Sequence, residues 1–93
     1  MRTIERTTQF RRDYKREAKG RHRGTLENDL RLIIENLALD KALAARHRDH
    51  ALSGEWRDHR DCHIKPDLIM IYHKPDDQTL VLVRLGSHGE LDL

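Results

Sequence analysis

The chain has 93 residues, of which 37% are hydrophobic and 37% charged, and a formal net charge of +2. That length predicts one domain, residues 1–93, because autonomous domains usually run to about 100 residues or more. No apolar run reaches the ~20 residues of a bilayer span, the first ten residues lack a signal-peptide core, and the lone Cys62 cannot form an internal disulfide; the expectation is a cytoplasmic protein without membrane attachment.

Residues 2–7 are short and β-tolerant and predict a strand with Ile4 as its core contact. Thr7 or Thr8 can cap the helix that follows, where Phe10, Tyr14 and Ala18 recur every four residues and Gly20 supplies a stop. Thr25 then caps a second helix, in which Leu26, Leu30, Ile33, Ile34 and Leu37 form an amphipathic stripe. Asp40 opens a third helical turn running to Arg46. From His50 the pattern becomes extended, with strands at 57–64, 68–73 and 79–85 separated by turns at Pro66-Asp67 and Pro75 to Gln78. Such short connections join antiparallel neighbours, so the predicted fold is α+β: an N-terminal strand and two amphipathic helices packed on a small antiparallel sheet.

The charge is unevenly spread. Residues 2–23 carry nine Lys/Arg against three Asp/Glu, whereas the rest of the chain is net acidic. Arg11, Arg12, Lys15, Arg16 and Lys19 fill the helix surface outside the apolar stripe, a pattern suited to a phosphate backbone and equally to a solvated helix face.

Five of the seven histidines, His50, His59, His63, His73 and His88, lie in the strand-rich half. Alternation puts Arg57, His59, Asp61 and His63 on one side of a strand and Arg60, Cys62 and Ile64 on the other. If the helices cover the second side, His63, Asp67, Arg84 and His88 converge in an open groove. Cleavage of RNA by its own 2′-hydroxyl requires a base, an acid and positive charge, and histidine titrates in the range that such proton transfers need. Arg84 can grip two phosphate oxygens with its planar fork, and Arg57 and Arg60 are further backbone contacts. Trp56, Phe10, Tyr14 and Tyr72 read as core, and Cys62 as a small packing residue. The chain has no H-E-x-x-H or C-x-x-C, so neither metal nor cofactor is expected.

The blocks D-H-x-L-x-G-x-W from Asp49 to Trp56, R-D-x-H-x-x-P-D from Arg60 to Asp67, Ile71-Tyr72, and R-x-G-x-H from Arg84 to His88 resemble the YafQ branch of the RelE-like bacterial toxins. With the preceding strand and helices, the resemblance spans almost the whole chain. It implies a fold like that of microbial ribonucleases and ribosome-dependent cleavage of mRNA in the A site. Its cleavage residues fall on His50, His63, Asp67 and His88, with Asp61 and Arg84 at supporting positions. Among these, His50 is assigned as general base and His88 as general acid, roles that can be exchanged. The resemblance further implies a cognate antitoxin, ribbon-helix-helix and DinJ-like, through which alone operator DNA is bound, and gives the basic block a partner in small-subunit (16S) ribosomal RNA. Relatives carry an aromatic residue close to the C-terminus, where this chain has Asp92. The rival expectation is a non-catalytic RNA-binding module that blocks translation through its basic helix alone.

Overall fold

In the computed structural model, which describes residues 1–93, β1 (Thr3–Arg6) leads directly into α1 (Thr8–Ala18). Thr7 is extended, and its side-chain oxygen accepts from the Phe10 N–H at 3.0 Å, so the N-cap expected from the sequence is formed. α2 (Leu26–Ala38) follows after a hydrogen-bonded turn, but the Thr25 side chain makes no capping bond; Glu27 and Asp29 instead place negative charge in the first turn. Ala18, assigned to the apolar stripe of α1, is exposed.

The third helical turn predicted from Asp40 does not form. Asp40 is left-handed (φ 57°), accepts from Lys74 Nζ at 2.7 Å and Arg2 Nε at 2.8 Å, and ends the helical path; a single 3-10 turn appears later, at Ala45–His47. The strand predicted over 57–64 starts at Arg60, because a second 3-10 turn (Gly54–Trp56) and left-handed Asp58 (φ 69°) occupy the approach. The remaining strands are β2 (His50–Ala51), β3 (Arg60–Lys65), β4 (Leu68–His73) and β5 (Thr79–Gly86), and α3 (His88–Leu91) closes the fold.

The five strands form one sheet in the order β1-β5-β4-β3-β2. It is mixed: β2 to β5 pair antiparallel as expected, while β1 runs parallel to β5, with Ile4 opposite Leu80. That pairing is possible because the two helices supply the long crossover that parallel neighbours require.

The main core lies between the helices and one sheet face. Phe10, Leu26, Leu30, Ile33 and Leu37 pack there on Cys62, Met70, Tyr72, Leu80, Leu82 and Leu85. Each such side chain stabilises the fold by roughly 1.5–3 kcal/mol when fully buried. The opposite face has a smaller cluster of Ile69, Ile71 and Leu91 under Leu52, Trp56 and Val83. Trp56 thus belongs to this second cluster and not to the main core. Between Ile71 and Tyr72 the β4–β5 register shifts, leaving Val83 and Arg84 together opposite Ile71, the geometry of a β-bulge. β1 pairs only with Thr79 to Leu82, so the bulged half of β5 is left free for contact with α1.

Candidate active site

The sheet face not covered by α1 and α2 holds the titratable residues. Asp61 lies opposite Ile71, and His63 opposite Ile69; alternation therefore turns both away from the main core, as the sequence pattern predicts. Both are nearly closed to solvent all the same, at 3% and 9% exposure.

His50 reaches Asp61 through the pairing of β2 with β3, in which the two residues are direct partners. Left-handed Arg48 (φ 46°) turns the chain so that the His50 Nδ1 lies 2.7 Å from the Arg48 carbonyl oxygen. A carbonyl only accepts, so Nδ1 carries the hydrogen in this contact and the lone pair of a neutral ring sits on Nε2. Asp61 Oδ1 is also 3.1 Å from that Nδ1, but the N–H is directed to Arg48, and Oδ1 remains buried without a hydrogen bond. Burial pushes the Asp61 carboxyl above its ordinary range, although His50, His63 and His88 pull in the other direction.

His88 enters from the opposite side. Ser87 caps α3 through a capping box with Glu90, which fixes His88 at the first helical position. Asp67 in the β3–β4 turn accepts on Oδ1 from both the His88 ring Nδ1 (2.8 Å) and the His88 backbone N–H (3.1 Å). These two bonds, the ring contact first, hold the Asp67 carboxyl below its ordinary range. The His88 ring meets that of His63 edge-on, with centroids 5.3 Å apart. His50, Asp61, His63, Asp67 and His88 are therefore brought together.

The arginines nominated beside them are placed differently. Arg84 does not extend over the open face, because Asp13 of α1 takes its Nε at 2.8 Å and its Nη2 at 3.4 Å. Asp13 is fully buried and also accepts from the Leu85 N–H, Arg16 and Gln9. Its burial raises the carboxyl's affinity for a proton, but the Arg84, Leu85 and Gln9 hydrogen bonds outweigh this and hold it below the ordinary range. Arg60 donates to Asp49 at 3.1 Å, and Asp49 in turn accepts from the buried Tyr72 hydroxyl at 2.5 Å. Arg57 is exposed in the approach to β3, and its carbonyl accepts from His59 Nδ1 at 3.1 Å. The His59 ring stacks on His73 with centroids 4.6 Å apart, making a second imidazole pair apart from the cluster.

Along α1, Arg11, Arg12, Lys15 and Lys19 are exposed, whereas Arg16 is tied to Asp13, Glu17, Glu90 and the Leu85 carbonyl. Arg21, which belongs to no motif, is the arginine that touches the cluster: its Nη2 is 3.7 Å from Asp67 Oδ2. Only its place in the basic block marked it in the sequence. Burial raises the Cys62 thiol, in keeping with a packing role. No three His, Cys, Asp or Glu side chains are arranged to share a metal ion. A groove of about 680 Å³ between α1 and α2, lined by Ile4, Tyr14 and Ile34 among others, shares no residue with the histidine cluster.

The chain resembles proteins of known class over nearly its full length. Residues 2–93 match the family described as the bacterial toxin of the type II toxin-antitoxin system, YafQ. The mRNA interferase toxin YafQ of Escherichia coli K12 is 38% identical over 92 residues, 97% of this chain and 95% of that protein. A copper-bound mutant toxin from Helicobacter pylori superposes with a TM-score of 0.84 at 34% identity, covering 98% of this chain and 99% of that one. The E. coli DinJ-YafQ complex gives 0.79 at 32%, covering 98% of both chains. Fold and site together define a toxin of the type II toxin-antitoxin class. Within that class the chain belongs to the YafQ family.

Proposed function

We propose that this protein is an mRNA endoribonuclease that cuts transcripts in the ribosomal A site by attack of the substrate's 2′-hydroxyl, with His and Asp side chains moving the protons and no metal ion taking part. The observation that carries the proposal is the way both histidines are held. His50 and His88 each present Nδ1 to an acceptor, the Arg48 carbonyl and the Asp67 carboxylate, which leaves both Nε2 atoms for substrate.

Neutral His50 takes the proton of the 2′-hydroxyl as its oxygen bonds to phosphorus. His88, whose ring Nδ1 is held by the Asp67 carboxylate, returns a proton to the departing 5′-oxygen. The products are a 2′,3′-cyclic phosphate and a 5′-hydroxyl. His63 buttresses the His88 ring, and Asp61 supplies negative potential beside His50. Arg57 and Arg60 contact the RNA backbone, and Arg11, Arg12, Lys15 and Lys19 dock on small-subunit ribosomal RNA, in line with the basic face of α1, whereas Arg84 and Arg16, read from the sequence for the same roles, are engaged by Asp13.

The E. coli DinJ-YafQ complex supports a DinJ-like antitoxin as partner. That this antitoxin is of the ribbon-helix-helix type and carries the operator-DNA binding is proposed from the family resemblance. The test is expression without antitoxin. Growth should stop, and Ala at His50, His63 or His88 should restore it; arrest that survives all three changes would refute the site. Unchanged cleavage in excess chelator is expected, and a chelator-dependent loss restored by one metal would overturn the metal-free mechanism.

A further inference from the structure

We infer that Arg21, carried by the turn between α1 and α2, is the phosphate-binding cation of the histidine cluster and touches the non-bridging oxygens of the scissile phosphate. The inference rests on the nuclease reading above and adds a catalytic residue to it.

Two arginines compete for the role. Arg84 has two donors engaged by Asp13, whose carboxylate is fully buried and fastened to the β5 backbone through the Leu85 N–H. Moving that guanidinium onto a phosphate would strip a buried carboxylate of its principal partner, which is unfavourable. Arg21 is held in the opposite manner. Its side chain is 71% exposed, and its Nη2 stands 3.7 Å from Asp67 Oδ2, beyond direct hydrogen-bond length. Its one close polar contact is from Nε to His22 Nε2 at 3.3 Å, which leaves the terminal amino groups free.

The turn that carries it is ordered. Gly20 N–H donates to the Glu17 carbonyl at 3.0 Å and Arg23 N–H to the Gly20 carbonyl at 3.2 Å, so the backbone of Arg21 is pinned while its tip is not. Asp67 places the tip correctly, since one carboxylate oxygen binds His88 and the other faces Arg21. The proton donor and the cation therefore flank a single carboxylate. As the 2′-oxygen bonds to phosphorus and the bond to the 5′-oxygen breaks, negative charge grows on the two non-bridging oxygens, and a guanidinium can bind both in one plane. A donor aimed at such developing charge contributes about 10²- to 10³-fold in rate.

Arg21 also lies in the basic block, so simple docking on ribosomal RNA is the competing role. The experiment that separates them measures single-turnover cleavage of a defined mRNA on programmed ribosomes at saturating toxin, with affinity read separately on an mRNA carrying a 2′-deoxy residue at the cleavage site. For Arg21→Ala, cleavage should slow about 10²-fold at saturation while affinity changes less than about threefold. Arg21→Lys, which keeps the charge but not the fork, should recover part of the loss. Unaltered melting of both variants will show that the exposed side chain is not needed for folding. Full-rate cleavage by saturating Arg21→Ala, or a loss confined to affinity, would overturn the assignment while leaving the nuclease reading intact. No cleavage by the unsubstituted toxin would overturn both.

Discussion

Asp61 shows how the site is set against stability at the level of one residue. Its Oδ1 is buried with no hydrogen bond, and burial raises the carboxyl's affinity for a proton despite three neighbouring histidines. A value raised in the folded state means that the folded protein resists ionisation more than the unfolded chain does. The associated stability is complete below the unfolded value and is lost as pH rises through the folded one. Asp61→Asn should therefore raise Tm at neutral pH, by about 4–8 °C if the relieved penalty is about 1 kcal/mol, and the gain should vanish in acid. The same variant should lose activity, because His50 then loses the negative potential beside it. Calorimetry across pH checks the first statement, and cleavage of ribosome-bound mRNA the second. Asp67 behaves differently, since its carboxylate is exposed and hydrogen-bonded to His88. Asp67→Asn should lower the cleavage rate about 10- to 100-fold by loosening the hold on the His88 ring, with little change in Tm.

At the level of elements, the decisive contact joins α1 to the bulged end of β5. Asp13 gathers Arg84, Arg16, Gln9 and the Leu85 N–H, and its carboxyl is held below the ordinary range. A depressed value gives stability that is present above the unfolded pKa and lost as pH falls through the folded one. Asp13→Ala should cost about 2–3 kcal/mol in urea unfolding at pH 7, less than a wholly buried ion pair because Arg84 and Arg16 can reach water. Nothing local in the sequence announced this contact. Asp13 sits among basic residues on an apparently solvated helix; Gln9 and Arg16 are one helical turn away, but Arg84 and the Leu85 N–H are brought to it only by the docking of α1 on β5 beside the parallel β1–β5 pair. The long elements were legible because α2 carries a sustained helical period and β4 an apolar run bounded by turns, even though the Thr25 cap expected for α2 does not form. β2 and α3 were not, since two and four residues cannot display a period. The convergence of His50, His63, Asp67 and His88 was foreshadowed by alternation in β3 and by motif spacing. Arg21 was hidden because its link to Asp67 depends on how the α1–α2 turn meets the β3–β4 turn.

Across the whole molecule the charged groups fall on separate faces. The exposed side of α1 presents Arg11, Arg12, Lys15 and Lys19, while the histidine cluster lies on the opposite sheet face from the main core. In the proposed function, docking and chemistry are thus carried by separate surfaces. Changing Arg11, Arg12 and Lys15 to Glu should weaken ribosome binding and flatten its dependence on salt, leaving thermal unfolding almost unaltered, because these side chains make no packing contact in the core. The central claim is that imidazoles and a carboxylate cut RNA through its own 2′-hydroxyl. It is tested most directly by mapping the termini of cellular mRNA after induction of the toxin. New ends bearing 2′,3′-cyclic phosphate, absent when His50 or His88 is replaced by Ala, are the predicted result; growth arrest with intact transcripts would contradict it.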